Sequence, residues 1–159
     1  MMKMKTILVA STISALFSGT ALAQSFTYDV VWQPVENIGG MTGSDGKLTG
    51  AGGVVDGAYT TTYQDGSVRK GTVRCVGMDQ PDNGLFDIHM SCNTKDTTGT
   101  ASVIWGCNWL GEPGPETPLG CVGGIQGTAG EAKGRNGLMT MEWYSNTASR
   151  GTGQWYGTK

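Results

Sequence analysis

The stretch CVGGIQGTAGEAKGRNG, residues 121–137, decides the fold. It contains six glycines and one cysteine but almost no large apolar side chain. Segments of this composition occur as flexible linkers, as phosphate-binding loops or as parts of β-sheets that need glycine at fixed places. A phosphate-binding loop must open a helix, and no helical periodicity follows this stretch. The rest of the chain decides between the linker and the sheet.

Apolar residues alternate with polar ones in three segments, 26–32, 86–92 and 139–143. A period of two over four to eight residues is typical of β-strands with one buried face. The dipeptides Asp-Gly and Asn-Gly, which favour tight hairpin turns, separate such runs; they lie at 45–46, 56–57, 65–66, 83–84 and 136–137. The pattern predicts an all-β fold with seven or eight strands, arranged as an antiparallel barrel or sandwich.

The positions of these dipeptides predict two hairpins. With a turn at 65–66, residues 58–64 pair with 67–76, and residues 68–77 then pair with 85–92. The segment 39–53 has seven glycines and little to pack, and it fits either a long loop or a sheet edge. The glycines of 121–137 would let the backbone bend where a barrel closes, with 136–137 as the turn into the next strand.

The four cysteines are Cys75, Cys92, Cys107 and Cys121. An even number in an exported chain indicates two disulfides, for which three connectivities are possible. We favour Cys75–Cys92 and Cys107–Cys121, because each pair encloses a turn-rich segment. A metal site or a redox centre would need closely spaced C-x-x-C pairs, which are absent. We therefore expect disulfides, with no metal and no cofactor.

The N-terminus has the pattern of a secretory signal peptide. Two early lysines precede an apolar run at 7–17, and small residues at 21 and 23 mark a cleavage site after Ala23. The run is far shorter than the ~20 residues of a membrane-spanning helix. We expect an exported protein, periplasmic or secreted, with residues 1–23 as signal peptide and residues 24–159 as a single domain.

Removing 23 of the 159 residues leaves 136, and the loss of two lysines changes the formal charge from −2 to −4. A mildly acidic chain without a basic cluster argues against a nucleic-acid partner. No further apolar segment is long enough to span a membrane. We expect a soluble protein after export, and the oligomeric state is left open.

Candidate ligand-binding residues are few. His89, the single histidine, shares a strand face with Asp87, which fits either a polar outer face or the lining of a cavity. Trp109 adjoins a Gly- and Pro-rich loop, where its ring is expected to be exposed. Glu142 and Tyr144 stand near the aromatic C-terminal strands and, like Asp87, could face a bound molecule. No catalytic residue is assigned.

The late glycine element resembles that of exported bacterial proteins similar to the allene oxide cyclase and dirigent barrels. It is carried by Gly123, Gly124, Ala129, Gly130 and Gly134, with upstream similarity at 75–77 and 92–99. Gln126 and Thr128 depart from the family pattern. The resemblance implies a small antiparallel β-barrel of about eight strands whose interior can hold an apolar ligand; it carries over no catalytic residue.

These observations predict a non-enzymatic exported barrel that binds a small hydrophobic or aromatic ligand, or a surface partner. One alternative is an enzyme or stereochemical guide of the allene oxide cyclase or dirigent kind, which would confine a reactive substrate. Another is a glycan-binding module, since aromatic platforms beside carboxylates suit sugars. The discriminating feature is whether a carboxylate and a tyrosine converge inside an apolar cavity.

Overall fold

The computed structural model describes residues 23–42, 44, 48–80, 84–114 and 116–157. Eight strands make up this part of the chain, and none of it forms a helix, so no described segment could cross a membrane as a helix. The strands are β1 (Gln24–Thr42), β2 (Leu48–Tyr63), β3 (Val68–Asp79), β4 (Ile88–Asp96), β5 (Gly99–Trp109), β6 (Leu119–Gly130), β7 (Asn136–Ser145) and β8 (Ala148–Tyr156).

The strands form a closed barrel in sequence order, and each pairs antiparallel with the next. β8 closes the barrel by pairing with residues 24–31 of β1, from Gln24↔Trp155 to Val31↔Ala148. The expected all-β class, the strand number and the barrel are confirmed. The sandwich, which the strand pattern alone had left possible, is not formed.

Every second side chain of each strand points into the barrel, as the alternation predicts. β1 contributes Phe26, Tyr28, Val30 and Trp32, all of them buried. The other strands add mainly apolar residues to the same core: Val73, Cys75, Met90, Cys92, Ala101, Val103, Trp105, Cys107, Cys121, Ile125, Met141 and Trp155. Burial of one large apolar side chain stabilises the fold by roughly 1.5–3 kcal/mol.

Glycines in the strands make room for the large rings of this core. A Cβ at Gly57 would lie 2.8 Å from Cε3 of Trp32, and one at Gly123 would lie 2.5 Å from Cε3 of Trp105. The predicted turn at 56–57 is therefore wrong: Gly57 is a strand residue opposite Trp32, and Asp56 pairs with Arg74 on the outer face. A local turn preference is overridden here by the space that a buried indole needs.

The other predicted turns have mixed outcomes. The turn at 65–66 is confirmed: Gly66 has φ 81°, and its N–H donates to the carbonyl of Tyr63 at 2.9 Å. The turn at 136–137 is wrong, because both residues lie in β7. The chain instead reverses over residues 131–134, between Gly130 (φ 71°) and Gly134 (φ 80°). Residues 45–46 and Asn83 lie outside the described residues.

The two predicted hairpins are confirmed in outline. Residues 52–62 pair with 68–78, and residues 71–79 pair with 88–96. Phe86 precedes β4 rather than belonging to it, and its ring covers Gly106. In the described part of the segment 39–53, β1 and β2 continue to pair with each other as far as Thr42↔Leu48, while β8 and β3 do not extend beside them, so residues 39–42 and 48–51 form a two-stranded extension at an edge of the sheet.

Both predicted disulfides are present, Cys75–Cys92 and Cys107–Cys121. Each joins directly opposite residues of neighbouring strands, with Cα atoms 4.0 Å and 4.1 Å apart. In the chain-entropy model a bridge over about 15 residues is worth roughly 3 kcal/mol. The stretch 121–137 is thus β6, a tight turn and the start of β7, tied to β5 by Cys121.

Residues 1–22 lie outside the described residues. The signal peptide and the cleavage after Ala23 therefore stay predictions from the sequence.

Candidate functional site

The barrel encloses a cavity of about 100 Å³. It extends inward from the end of the barrel formed by the turns at 64–67, 97–98 and 131–135, which we call the Arg69 end. The opposite end carries the connections at 110–118 and 146–147 and is called the Trp109 end.

Most of the cavity wall is apolar and aromatic. The rings come from the core of the barrel, namely Phe26, Tyr28, Trp32, Trp105 and Trp155, with aliphatic and sulfur-containing side chains between them. Polar lining residues gather toward the Arg69 end: Tyr59, Thr61, Tyr63, Arg69, Asp96 and Thr98. The cavity therefore has an apolar body and one polar end, the arrangement typical of small-molecule sites.

A tyrosine and a carboxylate meet at this polar end. The hydroxyl of Tyr59 donates to Oδ2 of Asp96 at 3.3 Å. Gly71, on the neighbouring strand, leaves the room that the phenol needs, since a Cβ there would lie 2.5 Å from the Tyr59 oxygen. Burial, and next the nearby Asp96 charge, raise the pKa of Tyr59, so this hydroxyl stays protonated and acts as a donor.

Asp96 is held ionised by its own turn. Its Oδ1 accepts hydrogen bonds from N–H and Oγ1 of Thr98, both at 2.6 Å, and from N–H of Gly99 at 3.0 Å. Burial by itself would raise the pKa of the Asp96 carboxyl, but these hydrogen bonds, with that from Tyr59, outweigh it and lower the pKa. A carboxylate with a lowered pKa and occupied oxygens is a weak general base.

Arg69 stands where the cavity meets the solvent. Its Nη2 donates to Oε2 of Glu131 at 2.8 Å, and its Nη1 donates to Oγ1 of Thr98. The guanidinium carbon lies 5.4 Å from the centre of the Tyr63 ring, within cation–π range. The hydrogen bond to Glu131 is the largest cause of the raised pKa of Arg69, which carries a full positive charge.

None of the five residues that the sequence suggested for ligand binding lines this cavity. Asp87 is exposed, and its Oδ2 accepts the N–H of Trp109 at 2.9 Å, which fixes the end of β5. His89 is exposed on the outer face, where its ring centre lies 5.6 Å from that of Phe86 in an edge-to-face arrangement. Glu142 pairs with Arg150 on the outer face at 2.9 Å.

Trp109 and Tyr144, by contrast, are brought together. Both line an open groove of about 510 Å³ at the Trp109 end, together with Asp79, Glu116 and Trp143. Burial raises the pKa of Asp79, opposed by a backbone hydrogen bond from Ala51. Arg150 lies 5.4 Å from the centre of the Tyr144 ring.

A stacked pair of indoles separates the groove from the cavity. Trp32 lines the cavity, Trp143 lines the groove, and their ring centres are 4.6 Å apart with planes 14° from parallel. Nε1 of Trp32 donates to Oγ of Ser149, a fully buried residue, at 2.9 Å. This bond holds the Trp32 ring in its position between the two spaces.

The alternation of the strands contains a signal for the polar end. Asp96 follows Met90 and Cys92 at even spacing, so it shares their inward face, and Tyr59 and Tyr63 alternate in the same way. A charged or phenolic residue continuing an apolar inward row is a marker of a cavity. Arg69 carries the same signal, because it precedes the inward-facing Val73 and Cys75 at even spacing near the start of β3.

Compared with models of protein families, with curated proteins and with solved structures, the chain gives no match. The function is therefore argued from the geometry of the cavity and the groove.

Proposed function

We propose that this chain is an exported, non-enzymatic protein that binds a small hydrophobic or aromatic molecule inside its barrel. The observation that carries the proposal is the cavity itself, with its aromatic wall and its single polar end. Its volume of about 100 Å³ is somewhat below that of the engineered cavity of about 150 Å³ that holds benzene. We therefore expect a ligand of about one ring, with any substituent placed at the polar end where the cavity meets the solvent.

The polar end supports binding rather than catalysis. Asp96 is ionised and its oxygens are occupied by its own turn, while Tyr59 is a protonated donor. Neither group has the pKa near neutrality that favours proton transfer at physiological pH. Together they can orient a polar substituent of a ligand without taking a proton from it.

The resemblance to the allene oxide cyclase and dirigent barrels leaves an enzyme or stereochemical guide as the alternative. Convergence of a tyrosine and a carboxylate in an apolar cavity is the feature that this alternative requires. The size of the cavity argues against an epoxide of a fatty acid, because a larger cavity of about 150 Å³ holds only benzene, and a fatty-acid epoxide is much larger than benzene. Export rests on the N-terminal pattern and agrees with the two disulfides, which persist in oxidising compartments.

A cavity-filling substitution tests the proposal. Ala101 is buried and lines the cavity, whereas Ala129, on the adjacent strand β6, is exposed. We expect Ala101→Leu to lower the affinity for toluene or phenol, measured by NMR titration, by at least about tenfold, since the added side chain occupies the ligand's space. Ala129→Leu should bind as the wild type does.

Thermal unfolding of both variants shows whether the barrel is intact. Native mass spectrometry of the protein taken from its own exported compartment should also show a bound small molecule. If toluene and phenol fail to bind the folded wild-type protein, and no small molecule copurifies with it, the proposal is wrong.

Glycan binding is the second candidate, and the groove at the Trp109 end favours it. Trp109, Trp143 and Tyr144 meet two carboxyl groups there in an open space of about 510 Å³. Aromatic rings stack on the faces of sugars, and carboxylates accept hydrogen bonds from the hydroxyl groups of the sugar. We expect Trp109→Ala to abolish binding of cellotriose or triacetylchitotriose in calorimetric titrations, and Tyr156→Ala, at the other end, to leave it unchanged. Absence of binding to both sugars by the wild type excludes this candidate for neutral oligosaccharides of that size.

A further inference from the structure

The ion pair at the Arg69 end bears on the chemical class of the ligand. Among the described residues that line the cavity, Arg69 carries the one positive charge and Asp96 the one negative charge. Glu131 contacts Arg69 but does not line the cavity. A ligand inside the barrel would therefore meet two charged groups, Arg69 and Asp96. The two groups differ in how easily a ligand could displace the partners that they have now.

Asp96 is fixed. Three hydrogen bonds from its own β4–β5 turn converge on Oδ1, and Tyr59 contacts Oδ2. A cationic ligand could pair with this carboxylate only by competing with bonds that shape the turn. Asp96 therefore acts as part of the framework of the polar end.

Glu131 is the more exposed partner of the pair. Its side chain is 51% exposed, against 26% for Arg69, and an ion pair this open to water contributes little to stability because solvent screens it. The position of its backbone does not depend on the carboxylate, because the N–H of Glu131 donates to the carbonyl of Thr98 at 3.0 Å. Movement of the carboxylate away from Arg69 would leave this backbone hydrogen bond in place.

Arg69 keeps its position when Glu131 leaves. Its Nη1 remains bonded to Thr98, and the Tyr63 ring remains beneath the guanidinium. A guanidinium fixed in this way presents a planar set of donors, which matches the planar pair of oxygens of a carboxylate. The donor released by Glu131 is then free for an anion at the mouth of the cavity.

Building on the proposed function, we propose that the ligand is a small aromatic carboxylate. Its ring occupies the cavity, and its carboxylate replaces that of Glu131 on Arg69. The exchange keeps the charge of Arg69 paired and moves Glu131 into solvent. Neutral aromatic molecules enter the same cavity, but more weakly, because they leave the Arg69–Glu131 pair in place and gain no ion pair.

Three ligands that share the same ring but differ in charge test this proposal. Benzoate, benzamide and benzamidine share a ring and differ in carrying a negative, neutral or positive head group. Titrations of the full mature chain, followed by NMR, should give benzoate an affinity about tenfold above that of benzamide, because a charge-assisted hydrogen bond is stronger than a neutral one. Benzamidine should bind most weakly.

Variants at the pair give the second readout. Glu131→Gln removes the competing carboxylate, so benzoate should bind several-fold more tightly while benzamide is unaffected. Arg69→Gln should remove the preference for benzoate and keep benzamide binding. The matched control is Asp56→Asn, which breaks another exposed pair, that with Arg74, on the outer face; it should change none of the affinities.

The outcomes separate this proposal from the one on which it rests. Equal affinities for benzoate and benzamide, or tightest binding of benzamidine, overturn the carboxylate proposal and leave aromatic binding intact. An unchanged benzoate affinity in Glu131→Gln also overturns the exchange. If none of the three ligands binds the folded wild type, while toluene and phenol also fail, the binding function itself is wrong.

Discussion

Among the described residues, each end of the barrel holds one half-buried aspartate, and the pKa values of the two shift in opposite directions. Asp96, at the Arg69 end, accepts hydrogen bonds from Thr98, Gly99 and Tyr59, which lower its pKa. Asp79, at the Trp109 end, has a backbone hydrogen bond from Ala51, and burial prevails and raises its pKa. Hydrogen bonding, rather than burial, decides which end stabilises a charge.

The difference follows from the connections between strands. At the Arg69 end the turns at 97–98 and 131–134 are short. The N–H of Thr98 donates to the carboxylate of Asp96, and the N–H of Glu131 donates to the carbonyl of Thr98, which ties the two turns together. At the Trp109 end the connection at 110–118 is longer and leaves an open groove. The first end is thus suited to a charged head group and the second to a neutral ligand.

The largest expected effect comes from removing the partition between the two ends. Trp32→Ala deletes a buried indole and should lower the free energy of unfolding by about 3–5 kcal/mol. It also leaves the hydroxyl of Ser149 without its donor. Urea unfolding measures the loss.

Trp32→Phe is the graded control for that variant. It keeps a ring against Trp143 but loses the hydrogen bond to Ser149. We expect the free energy of unfolding to fall by about 1–3 kcal/mol, less than in Trp32→Ala. Both variants lose the hydrogen bond to Ser149, but only Trp32→Phe keeps a ring against Trp143. Equal destabilisation by the two variants would therefore contradict the role given to the stacked rings in the partition.

The pH dependence of the free energy of unfolding distinguishes the two aspartates, and here we expect a smaller effect. Because the folded pKa of Asp96 is lowered, its ionised form stabilises the fold above its unfolded pKa of about 3.9, and this contribution is lost as the pH falls through the folded value. Asp96→Asn should therefore reduce stability at pH 7 and lessen the decrease in acid.

Asp79 should behave in the opposite way. Its raised pKa means that the fold favours the protonated carboxyl, so stability decreases as the pH rises from the unfolded pKa to the folded one. Asp79→Asn should keep or raise the stability at pH 7. Urea unfolding between pH 3 and pH 7 compares both variants, and losses of the same sign at pH 7 would contradict the assignment of the two ends.

The sequence predicted the barrel interior well, because alternation is a local property. The row from Phe26 to Trp32 and both disulfides follow from side-chain period and from the turns between cysteines. The turns at 56–57 and 136–137 were wrong because Gly57 and Gly137 serve tertiary packing, against Trp32 and Ile125. The turn preference of a dipeptide contains no information about a side chain that packs against it from another strand.

The candidate site was harder to predict than the fold. Tyr59, Arg69 and Asp96 come from three strands, and their meeting depends on the register of a closed barrel. Alternation shows which residues of one strand share a face, but not which side chains of other strands lie opposite. Asp87, His89 and Glu142 carried the same polar character and lie on the outside.

Intermolecular nuclear Overhauser effects show where a small aromatic molecule binds. With toluene bound to the isotopically labelled protein, we expect contacts from the ligand to the interior residues Phe26, Val103 and Trp155. Contacts confined to Tyr144 and Trp109 in the outer groove, or the absence of any contact at saturating toluene, would contradict binding inside the barrel.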